Sequence, residues 1–230
     1  MDEQTMDKRD LIIIGDSAFA EVAYEYFTHD SDFRVVAFAV EREFMTRESM
    51  LGLPVVAFET LEQHFDPASH HFYAALVYSQ MNRLRTRLYH AAKAKGFRPA
   101  SYVSSRAFVW HNVELGEHCF IFEDNTVQPF VCIGDNVVLW SGNHIGHHSV
   151  IKDNCFVSSH VVVSGFCTVG ANCFIGVNAT FGNNLEVGDD CLIGAGALIA
   201  KDVPADTLVK GNLAQGAPGV RARFGLDSDA

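Results

Sequence analysis

The densest group of ionisable side chains between residues 109 and 204 is Asn143-His144-Ile145-Gly146-His147-His148-Ser149, with His160 a short way downstream. Imidazole is the side chain whose ordinary titration lies closest to neutral pH, so histidines gathered on one stretch point to a general base, a proton shuttle or a metal ligand. A second grouping is spread along the first third of the chain. Gly15-Asp16 follows the apolar run Leu11-Ile12-Ile13-Ile14, Glu41-Arg42 follows a second apolar run, and Ser79, Asn82 and Arg83 follow a third. Glycine turns, an acid and polar residues at the ends of strands are the parts from which a site for a nucleotide is built.

The histidines sit within a repeat. Every sixth residue from Val109 to Ile199 is aliphatic or aromatic, including Leu115, Ile121, Val127, Ile133, Leu139, Ile145, Ile151, Val157, Val163, Val169, Ile175, Phe181, Val187 and Ile193. The next residue is often glycine, and the fourth after it is small or aliphatic, with Cys119, Cys155, Cys167, Cys173 and Cys191 in that place. A period of six is neither helical nor simply strand-like, and it predicts a parallel β-helix in which three hexapeptides make one triangular coil. The aliphatic and the small residues face inward and stack from coil to coil at roughly 4.8 Å. The cysteines are therefore expected to be reduced core residues, which argues against a cysteine nucleophile, since a reactive thiolate needs an exposed, electropositive setting.

The unbroken register places side chains by arithmetic, because residues 18 apart stack on neighbouring coils. His147 falls at a corner between Pro129 and Gly165, and the glycine leaves space beside the imidazole. His148 falls between Phe130 and Phe166, and His160 at another corner between Gly142 and Asn178. His147 is the leading candidate for a general base, with His148 and His160 as catalytic support. Isolated corner histidines such as His111 and His118 are expected to be solvated surface.

Ahead of the repeat, residues 1–104 read as a small α/β unit and residues 105–230 as the β-helix with a tail. The expected pieces are a strand at 11–14, a glycine turn, a helix to about Phe27, and a second strand from Val35 to Val40. They continue with Pro54 to Ala57 and a helix, a strand from His71 to Tyr78, a helix from about 81 to 95 and a last strand near Ala100 to Val103. This is the first half of a Rossmann-like, three-stranded nucleotide-binding unit, although the loop has one glycine where the dinucleotide fingerprint has three. Gly15, Asp16, Glu41, Arg42, Ser79, Asn82 and Arg83 are its candidate substrate-binding residues. Thr207 to Gly211 predicts a last strand or hairpin, and 214–230 has little order of its own.

Composition narrows the partners. Of 230 residues 48% are hydrophobic, ample for a core, and the formal net charge of −11 argues against a general nucleic-acid binder. No apolar run approaches the length of a membrane span, and the acidic start is unlike a signal peptide, so a cytoplasmic protein is expected.

The Ile14-Gly15 turn unit, the hexapeptide run, Gly146-His147-His148-Ser149-Val150-Ile151 and Ile193-Gly194-Ala195-Gly196-Ala197 together resemble the left-handed β-helix acyltransferases that acetylate nucleotide-linked amino sugars or sialic acid. The resemblance implies a homotrimer, acetyl-CoA as co-substrate, no metal, and a nucleotide-linked amino sugar as acceptor. It implies that a histidine at the position of His147 is the general base, and that Gly165, Gly194, Ala195 and Gly196 contact the CoA arm. The family usually places Asp or Glu after the base; here His148 stands there. A second histidine that contacts CoA in some members falls at Phe156, and the closing Gly-x-Pro-Ala is replaced by Gly211-Asn212-Leu213-Ala214. Transfer to a sugar amine is the leading expectation. A sugar hydroxyl is one alternative acceptor, a zinc lyase of the carbonic anhydrase type, with ligands from His144, His147, His148 and His160, is another reading, and a binding protein without turnover is a third.

Overall fold

The computed structural model describes residues 8–212, so the expectation for 214–230 lies outside the described residues. The chain begins with β1 (Arg9–Ile14), α1 (Ala18–His29), β2 (Phe33–Val40), β3 (Ser49–Met50) and β4 (Leu53–Ala57). It continues with the single turn α2 (Leu61–His64), β5 (His71–Ala74), α3 (Arg83–Ala94) and β6 (Arg98–Pro99). The sheet order is β3-β4-β2-β1-β5-β6, parallel except for the β3–β4 pair. The chain moves outward from β1 through β2 to β4 and then returns to pair β5 on the other side of β1. The strand order thus reverses between β1 and β5, and the carboxyl ends of these two strands form the crevice where such sheets hold ligands.

The sheet has six strands, more than a three-stranded unit. The strand expected to run from His71 to Tyr78 stops at Ala74, because β1, the partner it pairs with over Leu11–Ile14, ends there. The helix expected from about 81 starts at Arg83, since Gln80, Met81 and Asn82 all take positive φ and cannot continue a right-handed turn. The strand expected near 100–103 is divided between two sheets. Arg98–Pro99 closes the α/β sheet, while Tyr102–Val103 pairs with Phe120–Ile121 as the first rung of the β-helix, so the expected boundary after residue 104 falls within the first coil.

From Tyr102 to Val209 every strand is two residues long, and the strands stack in three parallel columns. The register is 18 residues up to the last coil: Ile121 pairs Leu139, which pairs Val157, which pairs Ile175, which pairs Ile193, and it shortens to 16 at the final rung, where Ile193 pairs Val209. The inward residues Val127, Leu139, Ile145, Ile151, Val163 and Phe181 are fully buried. Among the described residues all cysteines are free, and the inward thiols donate to coil carbonyls, as from Cys155 Sγ to the Gly170 oxygen at 3.0 Å.

Each coil has three corners, and the second residue of nearly every corner has positive φ. One corner column carries His118, Asn136, Asn154, Asn172 and Asp190; a second carries Asp124, Gly142, His160, Asn178 and Gly196; the third carries Phe130, His148, Phe166 and Asn184. Asn, Asp and Gly accept this left-handed conformation most readily, which explains their frequency.

The α/β unit packs on the β-helix along one column and one corner. Phe19, Tyr26 and Phe27 of α1 meet Phe120, Phe122, Val138 and Trp140 on the outer face of the first column. α3 runs beside the corner of His118, Asn136 and Asn154. There His118, expected to be solvated, is fully buried. Its Nε2 accepts the Ala74 N–H at 2.8 Å and its Nδ1 lies 2.9 Å from Asn136 Oδ1. The expectation fails because this corner faces the docked α/β unit instead of water. Among the described residues no helix is long and apolar enough to cross a membrane.

Candidate active site

The histidine segment turns the third corner. His144 and Ile145 form a rung strand, Gly146 follows against the backbone of the next coil, and His147 and His148 make the turn with both side chains exposed. The backbone is anchored on both sides: the His147 N–H donates to Gln128 Oε1 at 2.9 Å, the His148 N–H to the Pro129 oxygen at 3.2 Å, and the His147 oxygen accepts from Phe166 N–H at 3.0 Å.

The His147 ring lies over Gly165 on the next coil. A methyl group at Gly165 would stand 2.8 Å from His147 Cε1, so glycine is required for the ring to occupy that place. His147 Nδ1 is 3.1 Å from His148 Nδ1, with the two rings at 89°. His147 Nε2 has no hydrogen-bond partner among the described residues. A neutral imidazole with Nδ1 engaged as a donor presents a lone pair at Nε2, which is the arrangement a general base needs.

His148 is sandwiched. Its ring stacks on Phe130 at 4.6 Å and on Phe166 at 4.7 Å, with interplanar angles of 27° and 16°. These three residues have φ of 64°, 59° and 60°. Bulky side chains in that region cost of order 1–3 kcal/mol each, and such strain concentrates at functional positions. Phe130 and Phe166 are themselves more than half exposed.

The remaining candidates separate into two further places. Gly194, Ala195 and Gly196 turn the second corner, the one that carries His160, and a column of strands stands between that corner and His147. Gly196 has φ +68° and open space where a side chain would be. The Gly165 N–H, which sits beside the imidazole, is already bonded to Asn183 Oδ1 at 3.1 Å, so it is not a free donor for an oxyanion as it stands. His144, His147, His148 and His160 do not form a metal-binding group: no three His, Cys, Asp or Glu among the described residues are gathered for one ion.

In the α/β unit, Gly15, Asp16 and Glu41 come together at the crevice between β1 and β5, lining a cavity of about 200 Å³ with Ala39, Val40, Phe44, Leu76, Leu84 and Leu88. Gly15 has φ +118°, and a side chain there would press on the Ala75 oxygen. Glu41 is held by Arg87 through two hydrogen bonds of 2.7 Å, and that guanidinium keeps its carboxyl below the usual range. The other predicted residues do not line the cavity. Arg42 is exposed with its N–H bonded to Glu59, and Ser79 is exposed at the loop. Asn82 is buried with its amide donating to the Cys173 oxygen, and Arg83 pairs with Asp190 at 2.9 Å. The apolar lining was missed, although Leu84 and Leu88, four apart on one face of α3, carried the signal.

Comparison with known proteins fits this geometry. Residues 131–165 and 166–201 match the family described as bacterial transferase hexapeptide, six repeats. The acetyltransferase domain of PglB from Neisseria gonorrhoeae superposes with a TM-score of 0.80 at 25% identity, over 91% of this chain and 100% of that one. Residues 131–201 thus carry the repeats of that family, and the chain shares the fold of this acetyltransferase domain. The same fold is shared by perosamine N-acetyltransferase from Caulobacter crescentus, solved with CoA and GDP-perosamine, at TM-score 0.76 and 24% identity, over 86% of this chain and 92% of that one. WeeI from Acinetobacter baumannii follows at TM-score 0.55 and 19% identity, over 90% of this chain and 99% of that chain. No curated protein matches in sequence.

Proposed function

We propose that this protein transfers an acetyl group from acetyl-CoA to the amino group of a nucleotide-linked amino sugar, acting as a homotrimer. The observation that carries the reading is His147: an exposed imidazole at a coil corner, set over a glycine, with Nδ1 engaged and Nε2 unpartnered. The neighbours of this fold add support, since the PglB domain is also solved with acetyl coenzyme A and the perosamine enzyme with CoA and GDP-perosamine. That enzyme is also solved as histidine-to-alanine and histidine-to-asparagine mutants.

The chemistry assigned to the chain's own residues is proton transfer. The sugar amine attacks the thioester carbonyl while His147 Nε2 takes the amine proton, and the tetrahedral intermediate expels the CoA thiolate, which recovers that proton from the imidazolium. No covalent enzyme intermediate is needed, in keeping with the burial that pushes the Cys119 thiol up to about 12. The crevice at Gly15, Asp16 and Glu41 would hold the nucleotide, with its apolar wall of Leu76, Leu84 and Leu88 against a base. Gly165 and the open corner at Gly194 to Gly196 are assigned to the CoA arm.

The test is mass spectrometry of reactions containing acetyl-CoA and a panel of nucleotide-linked 3- and 4-amino sugars, with wild type beside His147→Ala. One amine should gain an acetyl group, and a folded His147→Ala should lose at least about 100-fold in turnover, the scale of a general base. Acetylation confined to hydroxyl acceptors would move the reading to O-transfer, and full activity in His147→Ala would remove the base.

A further inference from the structure

We propose that His148 is the positioning residue of the site: its Nδ1 accepts the Nδ1–H of His147, which fixes the His147 tautomer with its lone pair at Nε2, and the Phe130–Phe166 sandwich fixes His148 in turn. This rests on the reading of His147 as the base and gives the base its orienting partner.

Two nitrogens 3.1 Å apart share one proton, so one ring donates and the other accepts. If His148 donated, His147 would carry its own proton at Nε2 and could not receive another there while neutral. A working base therefore requires that His147 donate. A carboxylate does this job as a charged acceptor elsewhere in enzymes; here a neutral imidazole does it, and holding the tautomer is the main service such a partner provides. The acceptor must also be held still, and His148 has little rotational freedom, with a phenyl ring stacked on each face. The His147 ring is fixed independently by Phe166, edge to face at 5.0 Å, and by its seat over Gly165. The corner explains why an aromatic heterocycle stands at 148. The left-handed φ would suit asparagine, as at Asn184 in the same column, but only a ring continues the Phe130–Phe166 stack, and the ring nitrogen of histidine adds the acceptor for His147.

The column supplies a clean variant. Phe130 and Phe166 occupy the equivalent position on the coils to either side with nearly the same φ, so His148→Phe fits the fold, extends the stack and deletes only the acceptor nitrogen. The first readout is the tautomer of His147 from long-range proton–nitrogen correlation spectra of the full-length protein labelled with ¹⁵N-histidine, assigned with the His147→Ala spectrum. Wild type should show His147 protonated at Nδ1 and bare at Nε2. In His148→Phe it should revert toward the Nε2–H form that a free imidazole prefers. A wild-type His147 protonated at Nε2, or a tautomer unchanged in His148→Phe, overturns the proposal, and this readout needs no substrate.

The second readout is turnover. His148→Phe should lower kcat by about 10- to 100-fold, the scale for losing a partner that orients a reactive histidine, with KM for acetyl-CoA within about twofold. His148→Asp and His148→Asn, which restore an acceptor oxygen, should recover most of it. Loss of turnover in His147→Ala with none in His148→Phe overturns the positioning role and leaves the base in place. Turnover unaffected by His147→Ala overturns both.

Discussion

His118 shows how strongly one residue's chemistry depends on what docks over it. Burial pushes its titration down to about 3, with the Asn136 hydrogen bond opposing and the Arg85 charge adding. The unfolded chain takes up a proton near the ordinary value of 6.5, whereas the folded chain does so only near 3. Between those values the unfolded state holds one more proton, so stability is complete above about pH 6.5 and falls as the pH drops toward 3, by about 1.4 kcal/mol per pH unit. His71, also lowered by burial, adds a slope of the same sign, while carboxylates such as Glu41 enter only below about pH 4.5. Urea unfolding between pH 5 and 6.5 should therefore show a stability that rises with pH, and His118→Gln, which keeps an acceptor for the Ala74 N–H, should flatten that slope. An unchanged slope would mean that His118 is protonated in the folded protein.

At the scale of the element, the coil is defined by alternation within each two-residue rung. Phe181 points inward and is fully buried on the Val163 rung, while Thr180 beside it points outward. Phe181→Ala should cost about 3–5 kcal/mol, and Thr180→Ala no more than about 0.5 kcal/mol, as read from denaturation midpoints. Equal losses at the two positions would contradict the register. This register is the part of the fold most legible in the sequence, because inward stacking imposes one residue type every sixth place, and from it the neighbours of His147 and His148 follow by counting. The α/β unit was legible only as a succession of elements. Where β5 stops depends on where β1 stops, and where α3 starts depends on three left-handed residues, the last of which, Asn82, is held by the distant Cys173 oxygen. Asn82 and Arg83 have the types and the place expected of phosphate ligands, yet they hold the β-helix, a use that becomes visible only when the two units are docked. His118 was misread for the same reason, since counting gives the corner but not what covers it.

The whole molecule is joined by α3, and the join turns on Arg85. Its guanidinium is fully buried and has no carboxylate partner among the described residues. It donates instead to Asn136 Oδ1 and to the backbone oxygens of Asn136, Asn154 and Cys155, closing the ends of successive coils at 3.1–3.2 Å. Two residues earlier in the chain Arg83 reaches Asp190, and Asn82 reaches the Cys173 oxygen, so one helix spans several coils. Burial drives the Arg85 titration down, a cost that these hydrogen bonds offset. Arg85→Met would fill much of the same volume and relieve the desolvation, but would leave the coil carbonyls facing an apolar side chain. The carbonyl loss should win, because each hydrogen bond to a charged group contributes about 1.5–3 kcal/mol and a buried unsatisfied acceptor costs about 1–3 kcal/mol. The expected result is a loss on the order of 3 kcal/mol, concentrated at the contact between the units, so that the α/β unit becomes susceptible to proteolysis before the β-helix does. Cleavage that remains simultaneous in both units would show that the aromatic face of α1 on Phe120 and Phe122 holds them together without Arg85. A ligand held at Gly15 would touch α3 through Leu84 and Leu88, whereas His147 stands on a different corner from the one that α3 packs against, so loss of the Arg85 contacts should disturb the Gly15 crevice before it disturbs His147.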